Sequence, residues 1–321
     1  MRYLSLFSGI GAFEKALKNR KIDYELVGFS EIDKYAIESY CAIHNVNETQ
    51  NLGDITKIDL DTLPNEIDLL THGSPCTNFS IAGKNEGGDK NSGTASSLMW
   101  NSVDIIRKTH PKYVIWENVA NVLSSKHKHN FDSYLEIMEQ NGYNNYYTVL
   151  NSLDFGVPQH RERLFCVSIL KKIDKGFIFT TTNGKEHKIL KDFIEKEVHS
   201  RMWVRKPMRD ISPIKISKSG VIAVGQTSND GSQGGKVYSI EGCFPTLCSG
   251  LHGYASGYIL VDGKHRKLTP CEAFRLMGFT ESDFEKCEKL GHSDTQLYRQ
   301  AGNSIVVPVL ESILKNLFDE V

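Results

Sequence analysis

Tyr3-Leu4-Ser5-Leu6-Phe7-Ser8-Gly9-Ile10-Gly11-Ala12-Phe13 is a short apolar run that passes into a turn with two glycines and on into a helical segment. Strand, glycine turn and helix in that order predict the opening of a doubly wound α/β sheet. Working outward, residues 26–29, 67–71, 113–116 and 164–169 are equally short and apolar, as strands buried on both faces are. Helical stretches lie between them: 33–43 bring Tyr35, Ala36, Tyr40 and Ile43 near one face, and 132–141 run from an acidic cap to Gly142 as a stop signal. From about 170 to 265 the pattern changes to Lys-rich segments and then a Gly, Ser, Asn and Gln stretch over 225–235, which predicts a small, loop-rich β domain inserted after the sheet. Helical character returns at 270–278 and 305–318.

Composition narrows the class. The chain has 321 residues, 40% hydrophobic and 24% charged, which excludes a disordered or fibrous protein. No apolar run approaches the roughly 18 residues of a spanning helix, so a soluble, cytoplasmic protein is expected, with no membrane partner. Seven scattered cysteines suit reduced thiols better than a disulfide framework. The net charge of −1 hides a segregation: residues 1–169 hold 16 basic and 21 acidic side chains, 170–225 hold 13 and 6, and 226–321 hold 9 and 12. The basic block is either a solvated face or a surface that tracks phosphates.

In an open α/β sheet the ligand site lies outside the carboxyl ends of the strands. After the first strand come Gly9 and Gly11. After the second comes Glu31, 20 residues beyond Gly11, about where an acid reaches a ribose hydroxyl. The two glycines alone could make a structural turn, and a dinucleotide site would want a small residue where Glu14 stands; Glu31 favours a nucleoside-bearing cofactor. A third strand ends in His72-Gly73-Ser74-Pro75-Cys76. Cysteine is by default a small buried hydrophobe, but a rigid Ser-Pro lead-in and the polar, Gly-rich stretch 83–93 make Cys76 a thiol at a cleft rim with a potential lid. The next strand ends at Trp116-Glu117-Asn118-Val119, so Glu117 either faces the same cleft as a general acid or caps a helix.

The ordered blocks Phe7-Ser8-Gly9-Ile10-Gly11, Pro75-Cys76, Glu117-Asn118-Val119, Gln159-His160-Arg161-Glu162-Arg163, Arg266-Lys267-Leu268, Arg275-Leu276-Met277-Gly278-Phe279 and Gly302-Asn303-Ser304 resemble the motif set of the DNA (cytosine-5)-methyltransferases. The resemblance runs from residue 4 to about 310. It implies an S-adenosylmethionine-dependent methyltransferase fold with a catalytic and cofactor-binding domain over 1–169, a target-recognition domain and hinge over 170–280, and a segment 281–321 that returns to the catalytic domain. It implies S-adenosylmethionine as cofactor, S-adenosylhomocysteine as product and no metal. Phe7, Gly9, Gly11 and Pro75 would shape the pocket, with Glu31 on the ribose, Ile32 against the adenine, Asp54 and Ile55 at its edge, and Asn303 and Ser304 closing it. Cys76 would be the nucleophile, Glu117 would contact cytosine N3 and its amino group, and Arg161 and Arg163 would hold a flipped nucleotide. Thr77 stands where many relatives have Gln, and Ser74 at a position that varies between aromatic and small residues. The implied partner is double-stranded DNA, bound by a monomer in a bacterial or phage-infected cell, with any cognate restriction endonuclease acting separately.

Base reading is expected from Gln233 and Lys236, flanked by glycines that allow close backbone approach, with Thr246 beside them; the alternative is a surface hairpin whose glycines only turn the chain. Residues 171–218 would supply phosphate contacts. Cys243, Cys248 and His252 lack a clear fourth ligand for zinc. Tyr143, Tyr146 and Tyr147 fit sheet packing better than base stacking. Two rival readings are RNA cytosine methylation, whose tRNA-acting branch carries a Cys-Phe-Thr signature not found here, and a catalytically idle DNA-binding protein, which the intact Cys76, Glu117 and Arg163 oppose. Amino-group methylation would want an Asp-Pro-Pro-Tyr type of block, which is absent.

Overall fold

A computed structural model describes residues 1–79, 86–182, 184, 188–228, 231–250 and 254–319. The chain divides into two compact units: 1–150 with 162–180 and 311–321, and 151–161 with 181–310. These divisions stand beside boundaries at 169/170 and 280/281 in the sequence reading.

The first unit is built on a six-stranded sheet. Its strands are β1 (Arg2–Leu6), β2 (Glu25–Ser30), β3 (Leu69–His72), β4 (Tyr113–Val119), β5 (Tyr143–Asn151) and, once β6 (Gln159–His160) of the second unit has intervened, β7 (Glu162–Leu170). The order is β2-β1-β3-β4-β7-β5. β1 runs parallel to β2 and β3, and β3 parallel to β4, while β7 lies antiparallel to β4. The strand order reverses between β1 and β3, which is the switch point where doubly wound sheets bind ligands. Four helices, α1 (Ala12–Asn19), α2 (Lys34–His44), α3 (Met99–Thr109) and α4 (Lys128–Gln140), belong to this unit. The core joins Leu4, Leu6, Leu70, Val114, Trp116 and Phe131. Each such side chain contributes about 1.5–3 kcal/mol by leaving water.

Two elements depart from the sequence reading. β4 does not stop at Trp116, because Glu117, Asn118 and Val119 continue the ladder against Phe165, Leu164 and Arg163 of β7. Glu117 is therefore a strand residue and caps no helix. α4 begins a turn before Asp132, which forms an i,i+4 pair with Lys128 instead of a cap.

The second unit holds a five-stranded sheet in the order β13-β12-β10-β9-β8, made of β8 (Arg209–Ile216), β9 (Ile222–Gln226), β10 (Lys236–Ser239), β12 (Tyr258–Val261) and β13 (Lys264–Arg266). A separate two-stranded pair joins β11 (Phe244–Pro245) to β6. The unit is not only loops and strands: it also contains α5 (Pro270–Arg275), α6 (Glu281–Glu288) and α7 (Asp294–Asn303). Thr269 with Glu272, and Thr280 with Asp283, form reciprocal caps that start α5 and α6. α8 (Val307–Phe318) begins in this unit and ends in the first. Among the described residues no helix is long and apolar enough to cross a membrane.

Candidate active site

At the carboxyl end of β1 the chain turns through Phe7 and Gly9 with φ of 54° and 55°. Gly11, at φ 79°, caps α1, and a side chain there would collide with the His44 ring. The turn is therefore closed on one side by α2 and needs glycine for both conformation and space. Its other side is open, since a Cβ on Gly9 would meet nothing within 4 Å. Glu31, just beyond β2, holds the turn in place: one carboxylate oxygen accepts from Gly9 N at 2.9 Å, the other from Ile32 N and Asp33 N at 2.8 and 2.9 Å. Asn51, which sequence reasoning missed, steadies Glu31 in turn. Its amide donates to Glu31 O, and its oxygen accepts from Glu31 N and Gly53 N. Beneath the turn, burial raises the Glu14 carboxyl above its ordinary range, and Tyr40 donates to it at 2.9 Å.

The remaining cofactor candidates of this unit differ in character. Ile32 is 74% exposed, an apolar face left to solvent at the rim of the turn. Asp54 accepts from Thr56 N and Oγ1, contacts that lower its carboxyl below the usual range, and so caps the turn that carries Ile55. The Ile55 side chain lies in the core. In the second unit, Asn303 ends α7 exposed and Ser304 follows it buried.

Cys76 follows β3 on a turn tied down at both ends. Ser74 Oγ accepts from Trp116 Nε1 at 3.1 Å and from Asn118 Nδ2 at 3.3 Å, and Ser74 O accepts from the same amide at 3.1 Å. Behind it, His72 stacks on Trp116 and is wholly buried, which lowers its pKa to about 3 and keeps it neutral. Next to Asn118 on β4, Glu117 forms an ion pair with Arg163 Nε on β7 at 3.1 Å, the side chains only 11% and 16% exposed. Arg163 sits opposite Val119 in the ladder, so the pair is a diagonal contact across antiparallel strands. The first part of the expected lid, 83–85, lies outside the described residues. The rest is held: Asn78 O accepts from Gly87 N, Trp100 donates to Gly88 O, and Asn130 donates to Asp89.

Arg161 and Arg163 fall in different units. Arg161 is buried, and its guanidinium donates to Leu247 O, Gly302 O and Ser304 O at 3.2, 3.0 and 2.7 Å. It acts on the backbone around 302–304, where a side chain on Gly302 would collide with Cys248 and Ser249. The base-reading candidates are also engaged: Gln233 donates to Thr246 O at 2.8 Å, and Thr246 donates to His160 O at 2.6 Å. Lys236 opens β10, half-buried. His252 lies outside the described residues; among those described, no three His, Cys, Asp or Glu side chains are grouped to hold a metal ion.

A glycine turn at the switch point held by an acid from the next strand, and a cysteine-bearing turn tied through Asn118 to the strand that carries the paired Glu117, are the two features on which the expected cofactor and nucleophile sites fall. Residues 1–319 match the model of the C-5 cytosine-specific DNA methylases, and the chain belongs to that family. It is 33% identical to an orphan methyltransferase of Bacillus phage SPR, covering 99% of this chain and 97% of that one. It is 34% identical to the type II methyltransferase M.HhaI of Haemophilus parahaemolyticus, covering 99% and 94%. The solved structure of the Dnmt2 methyltransferase of S. pombe shares the fold at a TM-score of 0.71 and 21% identity, over 99% and 98% of the two chains. The resemblance read from the ordered motifs is borne out, and the protein is a DNA (cytosine-5)-methyltransferase. Membership of a methyltransferase family implies use of S-adenosylmethionine, and the residues present fit such a ligand. The open face at Gly9, the exposed Ile32 and a buried Ser8 hydroxyl without a partner among the described residues are groups that a bound nucleoside and amino acid would cover.

Proposed function

We propose that the enzyme methylates C5 of a flipped cytosine in a specific duplex DNA sequence through a covalent bond between Cys76 and C6. The observation that carries this is the tie between the Cys76 turn and β4: Asn118 holds Ser74, and its neighbour Glu117 is held by Arg163. Nucleophile and acid are thus fixed to one rigid strand. S-adenosylmethionine, when bound against Gly9, Glu31 and Ile32, supplies an electrophilic methyl group. C5 of cytosine is too weak a nucleophile to take it unaided. The Cys76 thiolate adds to C6, Glu117 supports a proton on N3 against the developing charge, and the ring becomes an enamine nucleophilic at C5. After methylation the C5 proton leaves to base, the electron pair returns, and Cys76 is expelled from C6. Because C5 and C6 are stacked in a duplex, the base must leave the helix at a cost of a few kcal/mol.

Gln233, Lys236 and Thr246 are proposed to read bases, and residues 171–218 to meet phosphates, on a monomer acting in the cytoplasm independently of any restriction endonuclease. Duplex DNA containing 5-fluorocytosine tests the mechanism, since fluorine at C5 cannot leave as a cation. Wild-type enzyme should form an adduct stable to denaturation, and Cys76→Ser should form none while binding cofactor normally. Adduct formation by Cys76→Ser, or its absence with wild type, would refute the covalent route.

A further inference from the structure

Ser74 and Ser96 are the two hydroxyls that grip the turn bearing Cys76. Ser96 is fully buried, and its Oγ donates to Pro75 O at 2.8 Å while accepting from Asn78 N at 3.1 Å. One hydroxyl therefore spans the chain from the residue before Cys76 to the second residue after it. Asn78 returns the contact, its side-chain oxygen accepting from Ser96 N at 3.3 Å. On the other flank, Ser74 is 3% exposed and its Oγ accepts hydrogen bonds from the Trp116 indole and the Asn118 amide. Inside the turn, Phe79 N donates to Cys76 O at 2.9 Å. These bonds between flank and scaffold join residues 18 to 44 positions apart, so the turn's shape is imposed by β4 and by the segment before α3.

We propose that Ser74 and Ser96 are positioning residues that set the reach of the Cys76 thiol toward C6. The proposal rests on Cys76 being the nucleophile. A hydroxyl is required at 96 because the site needs a donor for Pro75 O and an acceptor for Asn78 N at one point, and only a group with both can supply them. Alanine there takes this partner from the half-buried Pro75 carbonyl and the buried Asn78 N–H and lets the turn relax. Displacing an attacking atom by about 1 Å is enough to cost on the order of a hundredfold in rate. The bonds of Ser74 and Ser96 run to the Cys76 turn and β4, and Ser96 meets the expected cofactor pocket only through the Pro75 carbonyl, so cofactor affinity should change far less than the rate of attack.

The test measures adduct formation in single turnover, using long duplex DNA with 5-fluorocytosine throughout so that the recognition sequence need not be known. Wild type, Ser96→Ala, Ser74→Ala and Ser96→Thr are compared with S-adenosylmethionine saturating, alongside cofactor affinity by calorimetry and the melting temperature. Ser96→Ala should form adduct about 10- to 100-fold more slowly and Ser74→Ala about 10-fold more slowly, with cofactor Kd rising by a much smaller factor in each. Ser96→Thr, which keeps the hydroxyl, should recover to within about threefold. Wild-type trapping rates in both alanine variants would overturn the proposal, as would a parallel loss of trapping, cofactor binding and melting temperature. A wild type that forms no adduct removes the nucleophile itself, and the proposal with it; that outcome is distinct from an adduct-forming wild type whose serine variants are unimpaired.

Discussion

The turns at the strand ends of the first unit and the glycine-rich segment of the second are both polar, both rich in small residues, and held in different ways. Around Cys76 and Glu117 the fixing partners are side chains of the sheet strands, the buried Trp116 and Asn118 and the half-buried Arg163. Around Gln233 the partners are backbone carbonyls of other segments of the second unit, at Thr246 and Ser256, beyond β10 and β11 in the chain. The first arrangement suits the fine placement that the proposed bond making at Cys76 requires. The second preserves a loop's path while its neighbours remain available to a groove, which suits recognition. The contrast predicts that substitutions in the first region act on rate, and those in the second on binding or on the integrity of its backbone.

The largest departure is expected at Glu117. Glu117→Gln should lower kcat for labelled methyl transfer by about a hundredfold or more, the range for removing a general acid, with DNA affinity nearly unchanged. Its charge matters mainly as the ring accumulates electrons, so ground-state binding is spared. Equal losses in kcat and affinity would make Glu117 a substrate-positioning group and blur the contrast between the regions.

Arg161 sharpens the same contrast from the other side. Its three carbonyl partners lie at Leu247, Gly302 and Ser304, so Arg161→Leu strands buried acceptors and should destabilise the protein by about 2–3 kcal/mol in urea unfolding. A variant with unchanged unfolding and weakened DNA binding would return Arg161 to the nucleotide-holding role that the family resemblance implied.

Much of the first unit was legible because strands buried on both faces have to be apolar throughout. The signal failed where burial and polarity coincide. β4 continues through Glu117 and Asn118, whose polar side chains are buried against partners far away in sequence, so the apolar run ended three residues before the strand did. Glu31 could be read from its distance to Gly11, whereas Asn51, Ser74 and Ser96 act through hydrogen bonds between distant segments, which leave no local spacing to read. In the second unit β8 is exposed along nearly its whole length, so no alternation marked it as a strand. The helices α5 and α6 did carry a readable mark, in Thr269 with Glu272 and Thr280 with Asp283.

The smallest effects separate base reading from phosphate contact within the second unit. Lys236 stands at the start of β10 beside the Gln233 turn, where its ammonium could serve a guanine edge, while Lys215 lies on the exposed edge strand β8. A base contact discriminates one sequence from another, so Lys236→Ala should cost about 1–3 kcal/mol at the target and little elsewhere, relaxing the methylation pattern seen by bisulfite sequencing of a randomised library. A phosphate contact is blind to sequence and works by releasing counterions. Lys215→Ala should therefore weaken binding to all duplexes alike and reduce the slope of log affinity against log salt by about 1. The two signatures are mutually exclusive for a single side chain. If Lys236→Ala leaves the methylation pattern intact and only flattens the salt dependence, then the Gln233 turn is a structural hairpin, and base reading must come from another segment of the second unit, with 247–257 the next to substitute.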